Sequence, residues 1–321
     1  MAIYTELTGE EIALALAEYG LPPPERVVPE PKGYVNTNHH VWSGGRRLFL
    51  RLAEASSDED VAFEAEVHSF LAEARFPAPR LLRTSLGAPA ARVRGRNALL
   101  FAYAPGEELR PGEVTAEHCL RIGEELARLH DLAAGFAADR ANPFGPSRVA
   151  GWIATLREDP LDEDVRAALP LLEDELDRAA RLPGAPRGLV HGDLFVDNVL
   201  WLGGRVSAVL DWEMSCVDAF AYDLGVALSA WCWEDGFSPG RAQALAAGYR
   251  AGRRVEAETA EALLPFARHA ALRFAASRLV ALRAPDLGRD RMPRKGWQPY
   301  RDRLVALREM GEARFRELLG C

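Results

Sequence analysis

Four side chains in one short stretch are spaced for phosphoryl transfer: His191, Asp193 and Asn198, followed thirteen residues after Asn198 by Asp211. Val199 to Leu202 is an apolar run, Gly203-Gly204 tolerates positive φ at both positions, and Arg205 to Leu210 alternates, so the segment reads as a β-hairpin. With the glycines at its tip, Asn198 pairs opposite Val209. Asp211, two residues further on, then shares a face with Asn198 at a diagonal separation of about 7–8 Å. An amide oxygen and a carboxylate oxygen placed this way suit Mg2+, which binds through one or two protein oxygens, several waters and substrate phosphates. Asp193, on the His-Gly-Asp turn before the hairpin, is the carboxylate expected to accept or orient the proton of an attacking hydroxyl while the metal neutralises the β- and γ-phosphates.

His-Gly-Asp alone is a weak signal, because Asp and Gly are turn residues and His191 is equally able to hydrogen-bond a backbone carbonyl. The weight comes from the whole pattern, His-x-Asp-x-x-x-x-Asn followed by strand, Gly turn, strand and Asp. A hydrolase with a metal on His191 is the competing chemistry. It wants further His or Cys ligands at suitable spacing, and the sequence lacks them.

A chain of 321 residues, 48% apolar and 27% charged, is ordinary for a globular protein and long enough for two lobes. The net charge of −8 argues against nucleic acid or an anionic membrane as partner. Cys119, Cys216, Cys232 and Cys321 show no paired spacing, the N-terminus has no basic segment before an apolar run, and no apolar stretch reaches membrane-spanning length. These features lead to the expectation of a cytoplasmic, reduced protein. Only Lys32 and Lys295 are lysines, and no Gly-Lys-Ser/Thr phosphate loop exists, so phosphate has to be met by arginine, backbone N–H groups or metal.

Elements able to position these groups follow along the chain. Thr8 with Glu11 makes a capping box for a helix to about Tyr19, stopped by Pro22-Pro23-Pro24. Gly33 to Trp42, the Gly44-Gly45 turn and Arg46 to Leu52 read as a hairpin, whose first arm, with Asn36 and Asn38, is a candidate cover for the phosphates. Arg51 falls on its second strand. A helix from Asp58 to Ala74 presents Glu64 and Glu66 as partners for Arg51, and a buried Arg51–Glu64 pair would hold the triphosphate as a strand Lys and helix Glu do in protein kinases. A solvated charge on an edge strand is the plainer reading of Arg51. Leu99 to Gly106 runs from strand to turn, and helical patterns dominate beyond it, at Thr115 to Leu132, Thr259 to Val280 with a break at Pro265, and Tyr300 to Leu319. The expected division is a nucleotide-binding lobe at 1–100, a hinge at 101–106 where Phe101 and Tyr103 meet adenine, and a helical catalytic and substrate lobe at 107–321.

Together these motifs resemble the aminoglycoside-phosphotransferase-like branch of the protein-kinase fold, over nearly the whole chain. The resemblance rests on His191-Gly192-Asp193 through Asn198, Asp211, Arg51, Glu64 with Leu71-Ala72 and Pro77-Ala78-Pro79, and Tyr103-Ala104-Pro105-Gly106. Within that branch the chain most resembles the homoserine kinases. Tyr4-Thr5-Glu6, Asn36-Thr37-Asn38, Pro186-Arg187-Gly188, Asp218 to Leu224, Trp231-Cys232 and Ala270 to Phe274 carry that likeness, while Trp212-Glu213-Met214 departs from the aromatic sequence usual there. The resemblance implies a bilobal α+β fold, with an antiparallel sheet lobe carrying a helix and a larger, mainly helical lobe. It also implies ATP and Mg2+ as cofactors, Asp193 as catalytic carboxylate, Asn198 and Asp211 as metal ligands, Arg51 and Glu64 as the phosphate-positioning pair, and His191 and Asp223 as braces of the catalytic loop. Asp223 also reads as a plain helix N-terminal carboxylate. No role is assigned to His39, His40 or His130.

Homoserine carries a carboxylate and an ammonium, so its site needs an arginine besides acidic or amide groups, whereas choline and aminoglycosides need carboxylates or aromatic cages alone. Arg273 and Arg278 lie on an apolar helix, and either is a candidate for the substrate carboxylate. Internal salt bridges to Asp218, Glu213 or Asp235 are the structural alternative. Trp231, with Trp233 and Glu234, is a candidate wall for the ammonium. Arg289, Arg291, Arg294 and Lys295 read as a solvated loop before the last helix. A kinase of another small alcohol or amine such as choline, ethanolamine or an aminoglycoside remains open, as does a catalytically silent nucleotide-binding protein.

Overall fold

A computed structural model describes residues 5–31, 35–110, 112–158, 163–281 and 296–320. Tyr4, Gly33, Tyr34, Cys321 and the basic run at Arg289, Arg291, Arg294 and Lys295 lie outside the described residues. The described chain forms two compact units, one holding the residues through Gly106 together with Ser207–Glu213, the other most of the remainder.

The first unit opens with α1 (Gly9–Glu18), started by the Thr8–Glu11 capping box, in which the Thr8 N–H donates to Glu11 at 2.8 Å and the Glu11 N–H to the Thr8 hydroxyl at 3.2 Å. Strands β1 (Arg26–Pro29), β2 (Thr37–Ser43) and β3 (Arg46–Leu52) precede α2 (Asp58–Glu73), and β4 (Leu81–Leu82), β5 (Ala91–Val93) and β6 (Arg96–Ala102) follow it. They make an antiparallel sheet in the order β1-β2-β3-β6-β4, with β5 also on β6. Period-two alternation decides its two faces. Val41, Leu48, Leu50 and Leu52 bury against Ile12, Ala15 and Leu16 of α1. On the other face the pairs Asn38–Arg51, His40–Phe49 and Trp42–Arg47 lie directly opposite across β2 and β3, and β6 adds Leu99 and Phe101 beside Arg51 and Phe49.

The second unit contains β7 (Glu107–Glu108), α3 (Ala116–Leu132), α4 (Pro146–Glu158), α5 (Glu163–Ala179), β8 (Arg187–Val190), β9 (Val199–Leu202) and the start of β10 (Arg205–Val209). After Met214 come β11 (Cys216–Ala219), α6 (Phe220–Trp231), α7 (Pro239–Gly252), α8 (Ala257–Ala281) and α9 (Gln298–Leu318). β7, β9 and β10 form one small sheet, β8 and β11 another. The Gly203-Gly204 turn between β9 and β10 has φ of 58° and 76°, which glycine adopts without strain.

Two expectations are corrected. Ser207–Glu213 belongs with the first unit, because the Val209 N–H donates to the Pro77 carbonyl at 2.7 Å, the Ser207 hydroxyl bonds the Pro105 carbonyl, and Trp212 packs edge-on to Phe76 at 5.8 Å. Pro265 does not break its helix: α8 runs through it, because its neighbours Leu264, Phe266 and Ala267 are all buried and tertiary packing outweighs one missing backbone bond.

Helices α3 and α7 touch backbone to backbone at two glycines. A Cβ on Gly123 would fall 2.1 Å from the Leu245 carbonyl oxygen, and one on Gly248 would fall 2.0 Å from that of Leu120. Backbone cannot yield as a flexible side chain does, so Gly123→Ala is expected to lower unfolding stability by about 3 kcal/mol despite alanine's better helix propensity. A urea denaturation midpoint unchanged from the wild type would contradict this packing.

Candidate active site

The His191-Gly192-Asp193 loop of the second unit hangs from one buried carboxylate. Asp223, in the first turn of α6 and fully buried, accepts the His191 N–H at 2.9 Å on one oxygen and the Gly192 N–H at 2.8 Å on the other. His130, brought by α3 and also fully buried, places Nε2 3.4 Å from Asp223 and Nδ1 2.9 Å from the Tyr249 hydroxyl. A carboxylate only accepts, so Nε2 is the protonated nitrogen and Nδ1 accepts from Tyr249. Burial pushes the Asp223 carboxyl up, but the His130 hydrogen bond and the neighbouring histidines and N–H groups outweigh it and hold the carboxyl below its usual range. Burial lowers His130, which is therefore the neutral partner.

Beyond this brace the loop turns through Gly192 at φ +75°, where a Cβ would stand 3.1 Å from the Met214 carbonyl oxygen. His191 Nδ1 then accepts the Asp193 N–H at 3.2 Å. His191 is fully buried, so it supports the loop from inside and is not placed as a metal ligand. The Asn198 amide nitrogen donates to the Asp193 carbonyl at 2.8 Å and lies 3.4 Å from its carboxylate, which leaves Asn198 Oδ1 as the atom for a cation. Asp193 keeps 23% of its side chain exposed and receives Arg273, from α8, on Oδ1 at 3.3 Å. Arg273 is otherwise clasped between the rings of Phe144 and Phe274, at 4.2 and 3.9 Å. Its partner is thus Asp193, not Asp218, Glu213 or Asp235. Arg278 lies 4.0 Å over the Tyr300 ring. Trp231 is corrected: fully buried, it donates its indole N–H to the Leu194 carbonyl at 3.0 Å and packs on Trp201, so it is core beneath the loop rather than a wall for substrate.

In the first unit Arg51 is the hub. Its guanidinium bonds Glu64 of α2 and lies 3.9 Å from Asp211 and 4.0 Å from Glu213, with the Phe101 ring 5.2 Å away. Burial opposes its charge, but Glu64, Glu213 and Asp211 together hold Arg51 above its ordinary value. Burial alone would raise Glu64; the Arg51 guanidinium, with His68, wins and sets its carboxyl at about 2. Glu66 instead meets Arg83 at the surface, 3.4 Å away. Asn36 is not an open phosphate donor: its amide donates to Glu213 at 2.7 Å and its oxygen accepts the Glu54 N–H at 3.3 Å. Asn38 stands opposite Arg51 with a buried Oδ1 that has no hydrogen-bond partner among the described residues. Phe101 packs edge-on to His68 at 5.1 Å, and Arg47 lies 3.8 Å over the Tyr103 ring. His40 and Phe49, unassigned from sequence, occupy the same sheet face as Asn38 and Arg51, a placement that alternation from Arg51 would have given.

Asp211 differs from expectation in one respect. Strand β10 ends at Val209, and Asp211 has φ +61°, so its direction comes from a left-handed turn and not from a strand register. Aspartate tolerates that region better than most residues, at a cost of order 1 kcal/mol. Its carboxylate is 41% exposed. Among the described residues no group of three or more His, Cys, Asp or Glu is placed to hold a metal ion. The side-chain oxygens of Asn198 and of Asp211 are each of the hard type that Mg2+ takes beside phosphates and water.

A carboxylate on a braced loop, an Asn oxygen beside it and a buried Arg–Glu pair define a phosphotransferase class. A family model described as the phosphotransferase enzyme family matches residues 26–261, and the chain belongs to that family. It is 35% identical over 292 residues to a homoserine kinase of Sinorhizobium fredii (strain NBRC 101917 / NGR234), covering 87% of this chain and 86% of that one. It is also 35% identical over 289 residues to a homoserine kinase of Methylobacterium sp. (strain 4-46), covering 87% and 88%. The kinase-like fold recurs in an amicoumacin kinase solved in complex with AMP-PNP, Ca2+ and Ami, at TM-score 0.67 and 15% identity, with 90% of each chain covered. No helix among the described residues is long and apolar enough to cross a membrane.

Because Glu64 falls from 4.5 to about 2 on folding, its contribution to stability is complete above about pH 4.5 and disappears as pH drops toward about 2. Glu64→Gln should therefore be less stable than wild type by a constant margin near neutrality, and that margin should shrink below about pH 4.5. Urea unfolding of both proteins across pH tests this; a margin independent of pH would remove the ion pair as its source.

Proposed function

We propose that this protein is an ATP-dependent homoserine kinase, transferring the γ-phosphoryl group to the side-chain hydroxyl of L-homoserine in the cytoplasmic route to threonine. The observation that carries this reading is the 35% identity to homoserine kinases over most of both chains. A further arginine on α8, Arg278, supports it, because a zwitterionic acceptor needs a cationic contact that choline or an aminoglycoside does not.

Asp193 accepts the proton of the acceptor hydroxyl, and its position is set by His191 on one side and Asn198 on the other. Arg273 donates to its Oδ1, and its Oδ2 faces Asn198. Arg51, fixed by Glu64, supplies a cation for the phosphates, and Asn38 offers a side chain on the same sheet face. Phe101 and Tyr103 are assigned to the adenine side. Mg2+ accompanying ATP would offset charge on the β- and γ-phosphates, with Asn198 and Asp211 as its protein ligands.

Two measurements test this. ADP release with Mg-ATP should be strong with L-homoserine and weak with L-serine, L-threonine, choline, ethanolamine and an aminoglycoside; preference for any other member of the panel would replace the acceptor. Asp193→Asn should keep nucleotide affinity while kcat falls by roughly 10³-fold, and near-normal turnover would remove Asp193 from its role.

A further inference from the structure

Arg273 and Arg278 sit on one helix but in different chemical positions. Arg273 already has a carboxylate, Asp193, and two aromatic faces. Arg278 has no ion pair or hydrogen bond with a described residue; its recorded contact is the Tyr300 ring at 4.0 Å. Arg303, one turn into α9, lies 4.9 Å from that same ring and 4.9 Å from the Trp233 ring. Arg303 donates to the carbonyls of Ser229 and Pro299, at 2.8 and 2.7 Å, which are neutral acceptors. Two guanidiniums therefore lie 4.0 and 4.9 Å from one tyrosine ring, with no carboxylate bonded to either among the described residues. Burial lowers both from their ordinary values, yet a guanidinium does not lose its proton in a protein, so the cost is carried as uncompensated positive charge.

Such a pair is unfavourable unless an anion completes it. Asp193 and Asp197 are the acids whose charge is felt at Arg278, and Asp193 is occupied by Arg273. The five residues from Arg273 to Arg278 rise about 7.5 Å along α8. Homoserine spans about 5 Å from hydroxyl to carboxylate carbon, and a hydrogen bond adds about 3 Å, a reach comparable with that rise; the charge of Asp193 is felt at Arg278. Phe195 of the catalytic loop, Phe274 and Tyr300 form an apolar connection along this route, with ring centroids 4.8 and 5.3 Å apart in succession.

We propose that Arg278, backed by Arg303 at the Tyr300 ring, binds the α-carboxylate of an amino-acid acceptor, whereas Arg273 is a positioning residue for Asp193. The assignment rests on the homoserine reading above and divides the roles of two arginines that sequence leaves interchangeable. Arg278 has the guanidinium fork that a carboxylate matches in two parallel hydrogen bonds, so an acceptor of the same length without a carboxylate loses that contact entirely.

The test compares L-homoserine with 3-amino-1-propanol, which keeps the hydroxyl, the chain length and the amine and lacks the carboxylate. Wild-type kcat/KM should favour homoserine by roughly 100-fold or more. Arg278→Ala should lower kcat/KM for homoserine by roughly 100-fold, mostly through KM, and leave the aminopropanol value and the KM for ATP within about threefold. Arg278→Lys should recover part of the loss. If the wild type does not phosphorylate homoserine, the proposed function fails before any variant is made. If it does, and Arg278→Ala keeps the homoserine-to-aminopropanol ratio, the carboxylate assignment alone fails. Equal wild-type use of the two acceptors overturns the assignment even if the alanine variant does not fold.

Discussion

Asp223 has no exposed surface and, among the described residues, no Arg or Lys bonded to it, and its hydrogen bonds go to two consecutive backbone N–H groups and a neutral imidazole. A carboxylate in that position is stable only while every one of those donors stays in place, since each lost hydrogen bond to a buried charge costs about 1.5–3 kcal/mol. The constraint runs in both directions. The donors belong to His191 and Gly192, so the charge that they satisfy also fixes the peptide immediately before Asp193. His191 then holds the Asp193 N–H, and Trp231 holds the Leu194 carbonyl. The Asp193 carboxylate is thus aimed from the backbone inward, which leaves its own oxygens for Asn198 and Arg273.

Arginine is the natural cation for the rest of this arrangement. Arg51 is buried among Glu64, Asp211 and Glu213, and Arg273 is buried between two phenyl rings. A lysine ammonium in either place shifts its pKa readily when desolvated, and it lacks the planar face that stacks on an aromatic ring. A guanidinium stays charged and spreads its donors over several acceptors at once, which is what allows one residue to contact three carboxylates. The near absence of lysine from the chain, two residues among 39 basic ones, is consistent with this use of fixed charge.

The parts of this structure that sequence made legible are those governed by local rules. Thr8 and Glu11 specify a helix start within four residues, and Gly203-Gly204 specifies a turn by backbone freedom alone. The Arg51–Glu64 pair followed from a strand and a helix whose periods were both readable. What remained hidden depends on elements distant in sequence. His130 reaches Asp223 across 93 positions, and Arg273 reaches Asp193 across 80, and nothing local to either residue announces its partner. Trp231 looked available because it is aromatic and lies near other candidate residues, whereas its indole was already committed to a backbone carbonyl. Asp211 was placed by strand register, but a single left-handed residue after β10 made the register irrelevant.

That last departure separates two ways of placing functional groups. The groups assigned to phosphoryl chemistry stand on loops whose backbones are bent through unusual angles, at Gly192 and Asp211. Such loops hold only because buried bonds over-determine them, and they fix a reactive atom within fractions of an ångström. The arginines assigned to the acceptor stand on α8 and α9, where a turn more or less along the helix moves a charge by about 5.4 Å without disturbing the loop. Charge can be moved along a helix to match a new substrate length, while the bonds from Asp223 to the catalytic loop remain as they are.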